Sequence, residues 1–424
     1  MKPEYDILIV GAGIVGSSLA LALSALPLRI GLIEQFPFNS LEETLSLPSK
    51  PIALNLASLR ILKALKVWPA LEPYANPIFR VKVSQQGYFG QLKISAEELG
   101  VPQLGAVIPA ARLGMELIKA LCRLKAPHRA QGSLDLYNPA TCVSIHKPKT
   151  HWQVVLQTFQ NEKKTIHARL IIAADGTDST VRTLLKIGLK MNSTVERALM
   201  TFIESSRHHQ HHAYQRFTQE GIIACLPLRE NKIGLVWTSE QQTIETLQNL
   251  MESEFLERVQ QHFSYRFGKL LNYSKPQIYS LKKGVSECQA QAGLLLLGNA
   301  AHTLLPIAAQ GLNLGLYDMA ECVDVITNAL KANTDLGDKH VAHAYLQARV
   351  SSQQHIIRLT ERLKRLQPRF GPLTFIYNNG LLTMDLIPRA KRNLSHRLMG
   401  THGRLPRLVR GLTLQQEEYE YAKI

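Results

Sequence analysis

Glycines at positions 11, 13 and 16, placed just after a short apolar run, form the spacing with which a backbone receives phosphate. Asp6 to Val10 reads as a buried parallel strand. Gly11 permits the tight turn that follows, Gly13 lets a pyrophosphate approach the main chain, and Gly16 lets the next helix pack close to the sheet. That helix is expected over roughly Ile14 to Leu26. Its first amides, at Ile14 and Val15, and the positive end of its dipole point at the phosphates. Arg29 to Ile33 reads as a second strand, with Glu34 and then Gln35 at its end. A carboxylate there suits a ribose diol and repels a 2′-phosphate, so the tightly held nucleotide is not NADP. The spacing says dinucleotide and leaves NAD against FAD open.

Two later segments carry the same kind of chemistry. Leu170 to Ala174 reads as a buried strand ending in Asp175-Gly176, followed by Ser179, Val181 and Arg182. Alone, it is a strand, a tight turn and a capped helix. Leu294 to Leu297 reads as another buried strand, running into Gly298-Asn299-Ala300-Ala301-His302. Pro306 and Gln310-Gly311-Leu312-Asn313 follow, and a helix starting near Leu312 continues past Asp318. The amides at its start converge on one place, where they would stabilise an anion.

In this order the three segments resemble the aromatic-ring flavin monooxygenases. Asp175-Gly176 resembles their DG motif, and residues 298–315 resemble their "GD…P…GxGxN" signature. Asn299 stands where Asp is usual; the ubiquinone-biosynthesis branch that hydroxylates 2-polyprenyl-6-methoxyphenol also reads Gly-Asn-Ala-Ala there. Arg216 to Leu228, Leu235 to Trp237 and Gly380 to Met384 resemble further parts of that branch. Ala309 replaces a usual Gly. Lys50 stands where an FAD-contacting Arg is common, without the planar fork of a guanidinium. Arg112 sits near another common FAD contact. The resemblance implies tightly bound FAD, NAD(P)H as a visiting reductant (there is no second glycine fingerprint) and O2 as co-substrate. It implies a lipid-tailed phenol as substrate, with Pro306, Gln310 and Gly311 walling the reacting ring. His302 is read either as part of that wall or as a core histidine. No Ser-His-Asp or paired-carboxylate machinery stands out.

The expected fold is α/β: a Rossmann-like FAD-binding domain, an inserted mixed β-sheet substrate domain and C-terminal helices. Residues 1–75, 104–190 and 280–335 would form the first, and 76–103 and 191–279 the second. Residues 336–424 would form a helical region with a basic tail. Tyr214–Thr218, Ile222–Leu226 and Lys232–Thr238 read as adjacent antiparallel strands, and Asp338 to Leu366 as helix. The 424 residues show no linker, repeat or low-complexity tract.

The net charge of +16 is concentrated late. Leu386 to Gly411 holds Arg389, Lys391, Arg392, Arg397, Arg404, Arg407 and Arg410 and no acid, with Leu394 and Leu398 on one helix face. This reads as a solvated tail, or as docking to an anionic membrane surface or a ubiquinone-biosynthesis protein complex. Nucleic acid is disfavoured, since no recognised module or aromatic platform is present. A homo-oligomer is left open. His208, His209, His211 and His212 read as an exposed loop rather than a metal site. Five cysteines, odd in number and widely spaced, read as reduced core residues of a cytoplasmic protein. No signal peptide is visible, and the expected location is the inner face of the membrane, peripherally. A flavin halogenase would want Trp-x-Trp, but Trp68, Trp152 and Trp237 are isolated. A reductase of prenyl chains and a non-catalytic flavoprotein scaffold are the other rivals.

Overall fold

The computed structural model describes residues 3–38, 50–124, 132–191, 196–367 and 374–414, with 374–379 described by backbone alone. The N-terminal strand Tyr5–Val10 and its helix Ile14–Leu23 form as the apolar run and glycine turn require. Five parallel strands lie in the order Leu294–Leu296, Lys163–Ala173, Tyr5–Val10, Arg29–Ile33, Ser133–Tyr137. Segments nearly 300 residues apart in sequence therefore end side by side at the carboxyl edge of one sheet, where such folds bind nucleotides. The strand before Asp175 is far longer than its apolar stretch. Its polar first half pairs antiparallel with Trp152–Thr158, which pairs with Ala140–His146.

A second sheet runs in the order Leu270–Tyr273, Glu196–Ser205, Lys232–Glu240, Gly221–Pro227, His212–Thr218, Arg80–Gln85, Gln91–Ser95. The three central strands are adjacent and antiparallel, as their alternation implies. Alternation also sorts the faces. Cys225, Leu235 and Trp237 pack under the helices Gln241–Gln248 and Glu252–Phe263. Ala224, Leu226 and Val236 turn the other way and line a cavity. Those two helices were not expected from the sequence.

The late helices are Gln310–Lys331, Lys339–Lys364, Thr374–Leu386 and Pro388–Leu398. The first two are joined by a buried charge cluster. Arg349 meets the Asp318 Oδ1 through Nη2 at 2.6 Å and Nε at 2.7 Å, and Gln353 Nε2 donates to the same oxygen at 2.9 Å. His302 Nε2 lies 2.5 Å from Asp318 Oδ2, which also accepts the Gly298 N–H at 3.4 Å. One carboxylate thus ties the Gly298 turn to two helices.

The basic segment differs from the expectation in one respect. Leu394 and Leu398 share a face, but that face lines the protein's own cavity rather than an outer surface. Lys391 pairs with Glu98 and Asp385, and Arg407 lies 3.7 Å from Asp324. Arg389, Arg392, Arg404 and Arg410 are exposed. Among the cysteines, Cys142, Cys225 and Cys322 are buried, Cys288 is half-buried and Cys122 is exposed, so the core reading fails for Cys122. The four histidines are not a uniformly exposed loop. His209 and His212 are buried, and the His209 ring bonds the Leu228 carbonyl at 2.6 Å. No helix among the described residues is long and apolar enough to cross a membrane.

Burial pushes the Asp318 carboxyl up, but Arg349, His302 and Gln353 outweigh it and hold it at about 2, below its usual 3.8. Its contribution to stability is therefore complete above the ordinary carboxylate range and is lost as pH falls through about 2. Asp318→Asn leaves Arg349 buried without its counter-charge. It should lower the unfolding free energy by about 3–5 kcal/mol in urea titrations at neutral pH.

Candidate active site

A cavity of about 510 Å3 opens where the carboxyl edge of the parallel sheet meets the second sheet and the C-terminal helices. One end is walled by backbone: Gly13 to Val15, Gly176, Gly298-Asn299 and Gly311 to Asn313. The other end is apolar side chain, with Ile94, Met200, Leu226 and Val236 facing Leu363 and Leu398.

The backbone end is shaped by contacts no larger residue would permit. A Cβ on Gly16 would lie 1.9 Å from the Gly11 carbonyl oxygen, so the helix packs onto its own turn only with glycine there. A Cβ on Gly315 would lie 3.0 Å from the Gly298 Cα. By contrast, Gly13, Gly176 and Gly311 would each carry a Cβ into open space, with nothing within 4 Å. All three line the cavity. The helices starting after Gly13 and Ala309 have no side-chain cap, which leaves their first-turn N–H groups for a ligand.

Other donors and acceptors suit the same guest. Lys50 lines the cavity, its ammonium 5.6 Å over the Tyr279 ring. Asp175 sits between the lining residues Ala174 and Gly176. Its Oδ2 accepts the Val181 N–H at 3.0 Å, and its Oδ1 is buried with no partner. Burial raises its pKa. Two uncapped helix starts, a lysine and a spare acceptor suit FAD, which the amides of Ile14 and Val15 and of Gly311 and Leu312 could hold.

Several expected residues do their work from outside the cavity. Glu34 accepts the Ala12 N–H at 2.7 Å and the Phe36 N–H at 3.0 Å, bracing the glycine turn, and Gln35 is exposed beside it. Arg112 lies 3.9 Å over the Tyr74 ring and 3.8 Å from Glu116 and is not among the cavity's lining residues. His302 is fully buried in the Asp318 cluster and does not reach the reacting ring's wall; of the two readings, it is the core histidine.

Pro306, Gln310 and Gly311 do line the cavity. Ala308 and Ala309 are both left-handed, with φ of 53° and 51°, a conformation costing roughly 1–2 kcal/mol for a residue with a Cβ. Three bonds hold them. Gln215 Oε1 accepts the Ala308 N–H at 3.1 Å, Gln310 Nε2 donates to the Ala308 carbonyl at 2.9 Å, and Asn313 Nδ2 donates to the Ala309 carbonyl at 2.6 Å. This explains how alanine is kept at position 309.

The Asn313 side chain is spent entirely on protein. Its Oδ1 accepts from Asn55 N at 2.9 Å and Ser58 Oγ at 2.7 Å, and its Nδ2 also donates to the Ala53 carbonyl at 2.9 Å. Only its backbone remains for a cofactor. Asn55 and Ser58 were missed in the sequence, although Asn55 caps the helix Leu56–Ala64, a readable signal. Gln215 was missed too. It is a polar residue on the apolar alternation of its strand.

Gly13 has φ of −64°, so a side chain adds no backbone strain. Gly13→Val should leave the apoprotein's unfolding free energy within about 1 kcal/mol of the parent. It should also abolish flavin retention on desalting, read by flavin absorbance.

The comparisons with known proteins agree with this geometry. The family described as the FAD binding domain matches residues 4–355. The 3-demethoxyubiquinol 3-hydroxylase of Escherichia coli is 28% identical, over 91% of this chain and 96% of its own. Ubiquinone hydroxylase UbiL of Rhodospirillum rubrum is 27% identical, over 96% and 93%. Among solved structures, p-nitrophenol 4-monooxygenase of Pseudomonas putida superposes with a TM-score of 0.73 at 14% identity, covering 95% of this chain and all of that one, and so shares the fold. The chain belongs to the FAD-binding-domain family, and FAD is its cofactor.

Proposed function

We propose that this protein is an FAD-dependent hydroxylase of a polyprenylated (methoxy)phenol in ubiquinone biosynthesis, using NAD(P)H and O2. The observation that carries this is the composite cavity. A backbone end suited to an anionic ring and phosphates runs into an apolar end built from the second sheet and two late helices. A prenylated ring needs both ends at once. The relatives named for ubiquinone hydroxylation extend over nearly the whole chain, including the second sheet that walls the apolar end.

FAD, reduced by NAD(P)H, supplies activated oxygen, so that one atom of O2 enters the ring and the other leaves as water. The chain's own residues do the rest. The uncapped start of Gln310–Lys331 presents preorganised amides that favour negative charge at the cavity's centre. The apolar side chains exclude water. Pro306 and the braced Ala308-Ala309 pair fix the wall beside the ring. Lys50 offers a cation at the cleft.

A lipid-tailed substrate dissolves in a bilayer, and the exposed surface suits work there. Leu386 and Ile387, 69% and 47% exposed, project at the joint between the last two helices. Exposed Arg389 and Arg392 follow directly. Each basic residue near an anionic surface is worth about 1 kcal/mol. The helix carrying them also lines the cavity through Leu394 and Leu398, which supports a peripheral position at the inner face of the membrane.

Purified holoprotein should consume NAD(P)H and O2 faster when a prenylated methoxyphenol is added, with the hydroxylated ring found by mass spectrometry. Absence of stimulation by any prenylphenol would count against the proposal. Oxygen-independent saturation of a prenyl chain would point to the reductase instead.

A further inference from the structure

The strand His212–Thr218 alternates between the two faces of the second sheet. Tyr214 packs on the outer face against Phe263 and Phe267, with ring centroids 6.3 and 5.1 Å away. Gln215 turns inward. It is 9% exposed and lines the cavity beside Met200, Ala224 and Val236. It is the polar side chain that this sheet turns into an otherwise apolar wall among the described residues.

The orientation of its amide is settled by its partner. Ala308 N is a donor, so the atom 3.1 Å from it must be Oε1. Nε2, with two N–H groups, then faces away from that loop and has no protein partner among the described residues. Because Gln215 lines the cavity, that donor is available to an acceptor on whatever occupies it. Gln215 also sits where the substrate wall touches the loop leading into Gly311, the junction of the cavity's two ends.

We propose that Gln215 is a specificity-determining residue whose Nε2 donates a hydrogen bond to a ring oxygen, hydroxyl or methoxy, of the phenolic substrate. The proposal rests on the function proposed above and adds which group reads the ring. In an apolar wall, one donor fixes which way an amphiphilic ring turns. A hydroxyl losing its proton accepts more strongly still, so the same contact favours the electron-rich form. Because Oε1 holds the strained Ala308-Ala309 pair, occupation of Nε2 also couples substrate to the cofactor loop.

The test is a cycle on the holoenzyme with two variants and two ligands. The ligands are a geranylated phenol and the matching geranylbenzene without oxygen. Dissociation constants are read from the perturbation of the bound flavin's spectrum. Wild type should prefer the phenol by about tenfold, the size of one hydrogen bond. In Gln215→Met that preference should fall to near unity. Loss of the brace on Ala308 affects both ligands alike and cancels in the comparison. Gln215→Glu keeps an oxygen for the Ala308 N–H and removes the donors; read with the methyl ether of the phenol in place of the phenol, since a carboxylate could itself accept from a hydroxyl, it too should lose the preference, even if the methionine variant fails to hold FAD.

An unchanged tenfold preference in either FAD-loaded variant overturns the proposal while leaving the hydroxylase reading intact. Wild type that binds neither ligand and shows no phenol-stimulated NAD(P)H oxidation overturns both.

Discussion

Two helix starts can share one cleft only where no side chain stands between them. The structure depends on that constraint. Gly16 lets the Ile14–Leu23 helix close onto the Gly11 carbonyl, and Gly315 lets the Gln310–Lys331 helix close onto Gly298. The two termini then face the same space, each without a side-chain cap. Amides fixed in this way need no reorganisation to meet charge. The cost is a set of strained or buried polar groups around the cleft, several of them held by protein bonds. Asn313 is fully bonded, the left-handed alanines are braced from three sides, and Asp318 gathers Arg349, Gln353, His302 and Gly298.

The cavity divides its labour by chemistry. In the proposed function the phosphates and flavin take the end lined by main chain, which offers donors at fixed positions. The prenylated ring takes the end whose lining is aliphatic and comes from the second sheet and the late helices. The C-terminal helix Pro388–Leu398 serves both sides of its surface. Its leucines close the cavity, and its arginines face out. A basic amphipathic sequence is thus also a lid over an apolar chamber, so its apolar face is already occupied.

Much of the fold was legible because its signals are local. The strand–glycine–helix spacing, the Asp175-Gly176 end of a strand and the four leucines before Gly298 each follow from short-range sterics or periodicity, and all of them form. Alternation found the three central strands of the second sheet. What was not legible depends on long-range pairing. His302 reads the same whether it faces a substrate or Asp318, and only the fold brings Asp318 within 2.5 Å. Asn313 stands in a flavin motif, yet its side chain is consumed by Ala53, Asn55, Ser58 and Ala309, most of them some 260 residues away. Arg112 meets Glu116 and also Tyr74, a contact between segments that its own neighbourhood in sequence does not display. The helices under Trp237, by contrast, were legible in the helical spacing of Ile244 and Leu247 and of Phe255, Leu256, Val259 and Phe263, yet the stretch was read only as part of the sheet-rich insert.

The central claim is that one FAD lies across the beginning, middle and later third of the chain. A crystal structure of the FAD-loaded protein tests it most directly. The expected result places the pyrophosphate within hydrogen-bonding distance of the amides that open the Ile14–Leu23 helix. It places the pyrimidine edge of the ring on the amides that open the Gln310–Lys331 helix, with the reacting face toward the apolar chamber. Flavin bound at any other surface, or crystals that stay colourless after soaking with FAD, would contradict the account.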